Sequence, residues 1–290
     1  MNTPNKQPDL KLVDLSSTIC KVNPAHGWYW INEGFRYFSP AKLAWISVLI
    51  LIFLVIRASP FFLPVLQIAL IFIFPFIVAG LSLACADIEL GKKMSVNYLF
   101  KGFSSSNRLN LFRYGLLFLI MMIIAQLVSS IILTSLGISQ EQLTAELTDL
   151  QNNPNANYQT IFASQVMLTF LIVSVISLLP LLMINLFAPI ILVFSDLTAF
   201  QSVILSFRAG MKNLSALIVY LFSYIVIFVV TILVFNLFAK LLFMVFGEGS
   251  SIANGIYLFT FLGCIMSVIA ISYSSAYVAF KDIFVGDKNA

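Results

Sequence analysis

The chain has 290 residues, of which 60% are hydrophobic and only 10% charged, and its mean hydropathy is +1.00. Soluble domains carry about 25% charged residues, so these proportions exclude an ordinary soluble domain and indicate a polytopic helical membrane protein. The net charge of +4 comes without a basic tract, which argues against a nucleic-acid partner, and Cys20, Cys85 and Cys264 show neither metal spacing nor the even number of a disulfide framework.

Residues 1–23 are polar and hold Pro8 and Asn23. They lack the apolar core of a signal peptide and read as a flexible cytoplasmic tail, leaving the first span to act as an uncleaved insertion signal. From Pro24 the chain reads PAHGWYWINEGFRYF. Trp28, Ile31, Phe35 and Phe38 recur at helical spacing, with Asn32, Glu33 and Arg36 off that face. This predicts an interfacial amphipathic helix with its aromatics at headgroup depth. Ser39 and Pro40 stop it. The first span follows from about Ala41 to Arg57, with Lys42 and Arg57 able to snorkel outward. A tight turn over Ser59–Pro64 leads to the second span, Pro64 to about Ala86, kinked at Pro75.

Asp87 to Tyr114 is a polar interruption holding Lys92, Lys93, Lys101, Arg108 and Arg113, and Val96, Leu99, Phe100 and Phe103 give it the short apolar face of a second surface helix. The third span is Leu111 to Leu136. The stretch after it carries Glu141, Glu146 and Asp149 but no Lys or Arg, and Leu143, Leu147 and Leu150 predict a short external helix before a turn at Asn152–Asn155. The apolar run from Ile161 to Phe194 exceeds what one perpendicular crossing needs, since a helix rises 1.5 Å per residue and the bilayer core is about 30 Å thick. Pro180 and Pro189 bracket Asn185 and mark kinks in this fourth span.

Ser195 and Asp196 break the apolar run, and Thr198 to Met211 then predicts a surface helix. Phe200, Val203, Ile204 and Phe207 would face lipid or the bundle, and Gln201, Ser202 and Arg208 would face water or headgroups. The fifth span is Leu214 to about Lys240, extended toward Phe246, GEGSSIANG is a second external turn, and the sixth span is Gly255 to Ala279. With both termini inside, only Arg57 and Lys240 of the 16 Lys and Arg fall outside, as the positive-inside rule requires. The expected organisation is all-α: a cytoplasmic tail at 1–23, one six-span membrane domain at 24–284 with short interfacial amphipathic helices, and a second tail at 285–290.

Each outgoing span is preceded by an aromatic–basic pair, Phe35-Arg36, Phe100-Lys101 and Phe207-Arg208, and each return ends at an acidic residue, Asp87, Asp196 or Asp282. Three tandem helical hairpins would produce this grammar. So would the ordinary gathering of aromatics and basics at a cytoplasmic membrane edge. The segments GLSLACADIELGKKMSVNYLFKGF, FAPIILVFSDLTAFQSVILSFRAGMKN and SYSSAYVAFKDIF, with GWYWINEGFRYFSPAKLAWI before them, resemble a family of six-span inner-membrane proteins of Gram-negative bacteria. The resemblance implies that membrane and topology. The family brings no established activity, so it implies no catalytic residue.

No phosphate loop, zinc motif or serine elbow is present, and no catalytic residue, metal or cofactor is implied. His26 has no histidine companion and is expected to be solvated beside the first amphipathic helix. Asp87 and Glu89 with Lys92 and Lys93 offer groups for a headgroup or a metal but read first as a solvated loop with local ion pairs, and Asp196 reads as a charge favouring the following helix N-terminus. The stripe Gly263, Ser267, Ala270 and Ser274 would let another helix approach closely. The reading is a non-enzymatic integral protein of the inner membrane that binds anionic phospholipid, or a membrane partner such as another protein or itself. It would use a cytoplasmic collar of Trp28, Trp30, Phe35, Arg36, Lys92, Lys93, Lys101, Phe207, Arg208 and Lys212. The rival is a small-solute or lipid transporter with a polar pocket at Pro180, Asn185 and Pro189.

Overall fold

Long uncharged runs satisfy their backbone groups in lipid only by coiling, and helix is what the chain forms. The computed structural model describes residues 19–62, 64–152, 164–247 and 250–286. The helices are α1 (His26–Phe38), α2 (Lys42–Phe62), α3 (Pro64–Glu89), the single turn α4 (Tyr98–Lys101), α5 (Arg108–Ser135), α6 (Gln140–Asn152), α7 (Gln165–Phe194), α8 (Ala199–Lys212), α9 (Leu214–Phe246) and α10 (Ser251–Phe280). No strand occurs among the described residues. Among the described residues six stretches are long and apolar enough to cross a membrane: His26–Ile56, Ala69–Glu89, Arg108–Ser135, Gln165–Phe194, Leu214–Phe246 and Ser251–Val285. The protein is an all-α, multi-pass membrane bundle.

Several expected boundaries move. The Ser59–Pro64 turn is helical on both sides of residue 63, which itself lies outside the described residues. α10 starts at Ser251, inside the stretch expected as a loop. The start of the fourth span at Ile161 and most of the turn at Asn152–Asn155 also lie outside the described residues. Pro75 sits inside α3, and α7 runs through both Pro180 and Pro189 without ending.

The chain divides into two units, one made of Met1–Gly115 with Leu186–Ala290, the other of Leu116–Asn185. In the second unit a capping box opens α6: Ser139 N–H donates to Gln142 Oε1 at 3.0 Å and Gln142 N–H to Ser139 Oγ at 3.2 Å. Ser164 donates to Glu146 at 2.8 Å, and Leu133, Ile138 and Val173 form a small apolar cluster.

The first unit is knit together where both described chain ends meet. Cys20 N–H donates to Ile283 O at 2.8 Å. Asn213, in the break between α8 and α9, clasps the same segment, accepting from Val22 N–H and donating to Cys20 O, each at 2.9 Å. Residues 20–22, expected in the flexible tail, are therefore fixed against both later helices. Asn107 donates to the carbonyls of Leu192, Ser195 and Leu197 and so satisfies the end of α7.

α1 corrects the sequence reading most. Its Gly27, Trp30, Ile31, Gly34 and Phe38 are buried. A Cβ at Gly34 would lie 2.3 Å from Ser275 Oγ and 2.8 Å from Ser275 N, so only glycine lets α1 come this close to α10. Ser274 Oγ uses that proximity to donate to Gly34 O at 3.0 Å. The expected small-residue stripe on α10 thus packs at Ala270 and Ser274, whereas Gly263 has open space beside it. The same device recurs between α3 and the turn after α4: a Cβ at Gly102 would meet Phe76 O at 2.0 Å, and Phe76 stacks on Phe103 at 4.5 Å.

Candidate functional site: a lysine groove beside three acidic anchors

The region where both described chain ends meet also gathers charge. Three acidic residues organise it, each tying the segment that carries it to another part of the chain. Asp282, just past α10, accepts from Trp30 Nε1 at 2.7 Å, and His26 Nδ1 lies 2.7 Å from the same oxygen. Glu89, the last residue of α3, accepts from Tyr37 of α1, from Lys281 at 2.6 Å and from Tyr277 at 3.3 Å. Asp87 accepts from Lys92 at 2.7 Å, Tyr98 at 2.6 Å and Lys101 at 3.1 Å. The Lys101 ammonium also stands 3.5 Å over the Tyr98 ring. Burial lowers the Lys101 pKa, but the Tyr98 hydroxyl and Asp87 outweigh it and hold it above the ordinary lysine value. Burial first, then the bond to Asp87, raises the Tyr98 phenol.

These anchors decide which collar residues keep their charge for something else. Arg36 pairs with Glu33 at 2.8 Å, Lys92 and Lys101 are taken by Asp87, and Lys212 Nζ donates to Ile19 O at 2.5 Å. Among the described residues, Lys42, Lys93 and Arg208 enter no ion pair and are exposed. Trp28, Phe35, Phe100 and Phe207 are exposed, Phe100 the most at 65%. Trp30 is not: it is fully buried under α9 and α10, so it cannot reach a headgroup as the collar reading expected. His26, expected in solvent, is part of the Asp282 anchor.

On α8 the Thr198–Gln201 capping box starts the helix. Phe200 and Phe207 are exposed as a lipid face requires. Ser202, expected toward water, is fully buried and donates to Ala199 O at 2.7 Å. The buried face of α8 is instead Ala199, Ser202, Leu205, Ser206, Ala209 and Gly210, small residues that permit close approach. Of the acidic returns, Asp87 and Asp282 anchor other elements, whereas Asp196 is exposed. Pro180 is exposed, Pro189 is buried, and Asn185 is half-buried and not without a partner.

A groove of about 510 Å³ lies between the start of α2 and the loop after α3. Lys42, Lys92 and Lys93 line it together with Pro40, Leu43 and Met94, and no acidic residue does. Sequence reading treated Lys42 as a snorkelling residue of the first span; its neighbours Lys92 and Lys93 come from 50 residues later, and no periodicity links the two segments.

Comparison with protein-family models, with curated proteins and with solved structures finds no match.

Proposed function

We propose that this multi-pass protein is a non-enzymatic component of a bacterial inner membrane that binds anionic phospholipid through the end carrying both described chain ends. The observation that supports it is the exposure of Phe35, Phe100 and Phe207, contributed by three separate helical segments, each next to a basic residue, of which Arg208 is exposed and enters no ion pair. Apolar rings at the headgroup level with cations beside them suit an anionic membrane face, where each Lys or Arg contributes about 1 kcal/mol. The concentration of basic residues at this end supports a cytoplasmic orientation. The test is competition in nanodiscs holding equal phosphatidylglycerol and phosphatidylcholine, with retained lipid read by native mass spectrometry. Phosphatidylglycerol should be enriched, and less so as salt shortens the screening length below about 8 Å. Equal retention of the two lipids at low salt would refute the reading.

A further inference from the structure

We infer that the groove between the start of α2 and the loop after α3 seats the phosphate of one anionic phospholipid, held by Lys42 and Lys93. Its volume, about 510 Å³, lies in the ordinary range of ligand sites, roughly 300–1,000 Å³. Its charge is one-sided: three lysines line it and no carboxylate does. Asp87 takes up Lys92, which lies 2.7 Å away, so Lys92 holds the loop in place. Lys42, from the start of α2, and Lys93, from the loop after α3, remain without an ion pair and exposed. Lysine is a compact cation on a flexible stem, suited to a tetrahedral phosphate approached from different sides.

The occupant is a lipid because of what surrounds the cations. The groove lies where one membrane helix starts and the next ends, which is headgroup depth by construction. Leu43 is 81% exposed on its wall, and Leu51, Phe53, Leu54 and Val55 continue an exposed apolar surface along α2. A phosphate seated at Lys42 and Lys93 would leave its acyl chains on that surface. A soluble phosphate would gain the charge contact alone. This inference rests on the anionic-lipid reading above and narrows it to one place and one lipid per chain.

The experiment uses full-length protein in nanodiscs of equal phosphatidylglycerol and phosphatidylcholine. Lys42→Gln/Lys93→Gln is compared with Arg108→Gln/Arg113→Gln, which removes two exposed charges outside both the groove and the collar. Wild type should carry one tightly held phosphatidylglycerol through transfer into detergent. The groove variant should lose it by about tenfold or more, and the control variant should keep it. Both groove lysines are exposed and unpaired, so folding should be unchanged, and circular dichroism with thermal unfolding checks that. Enrichment of phosphatidylglycerol with equal loss in both variants overturns the groove and leaves the collar reading standing. No enrichment in wild type overturns both. Displacement of the lipid by millimolar inorganic phosphate overturns the assignment to a lipid.

Discussion

Asp282 shows how much of the architecture rests on one carboxyl group. It is buried at the end of the last long helix and takes a hydrogen bond from Trp30 with His26 beside it. A buried acceptor that loses a donor costs about 1–3 kcal/mol. Trp30→Phe keeps the ring packing and removes only the indole N–H, so it should lower thermal stability in detergent by that amount. Trp28→Phe, on the exposed side of the same helix, should leave the melting curve unchanged. Equal effects would refute the anchor. The residues of this anchor were visible in the sequence but their meeting was not. Trp28, Ile31, Phe35 and Phe38 form as good an apolar stripe as the buried Trp30, Ile31 and Phe38. In a membrane protein a face sealed by another helix and a face turned to lipid are equally apolar, so hydrophobic spacing cannot tell them apart.

At the scale of elements, glycine carries the information that hydrophobicity lacks. α1 presses on α10 at Gly34, and the turn after α4 presses on α3 at Gly102, both at distances no side chain allows. Gly34→Val should drive α1 off α10, because beyond the Ser275 hydroxyl, which can swing away, the new side chain meets backbone that cannot, Ser275 N at 2.8 Å and Ile271 O at 3.0 Å from its Cβ. The loss of the packed Trp30 with it should raise trypsin cleavage after Arg36 severalfold, while Gly263→Val, with open space around it, should leave cleavage unchanged. Element positions were otherwise legible. The surface helix expected at 198–211 is α8, Ala199–Lys212, because Thr198 and Gln201 mark its start and Asn213 its end. Its phase was not legible, since Ser202 and Ser206 look polar and are buried. Ser202 turns its hydroxyl to a carbonyl one turn back, which lets a polar residue sit in a close helix contact.

For the whole molecule, composition and charge placement sufficed to predict an all-α bundle with six candidate spans. The lengths add something. The 33 residues of α9 rise about 50 Å, well beyond a hydrocarbon core of about 30 Å, so the helices carry their polar anchors past the membrane edge. Topology has a direct check. Single cysteines at Glu141 and Ser251 should react with an impermeant maleimide added outside intact cells, and one at Lys93 should react only after permeabilisation. Labelling at Lys93 in intact cells would invert the orientation. The groove was not legible at this scale because it needs the start of α2 and the loop after α3 side by side, and only the folded hairpin brings Lys42 to Lys93.

The contact between Trp30 and Asp282 spans 252 positions of sequence. A ribosome adding about 5–20 residues per second needs on the order of tens of seconds to cover that distance. During that interval α1 exists without the helix that seals it. Gly27 and Trp30 can already close on Ala216 and Tyr220 of α9, but Gly34 has no partner until Ser274 and Ser275 of α10 are made. The packing of the first described helix is thus completed only once the chain has been made as far as Asp282. A ribosome that stalls earlier leaves that face open, a mark by which a membrane protease could recognise an unfinished chain.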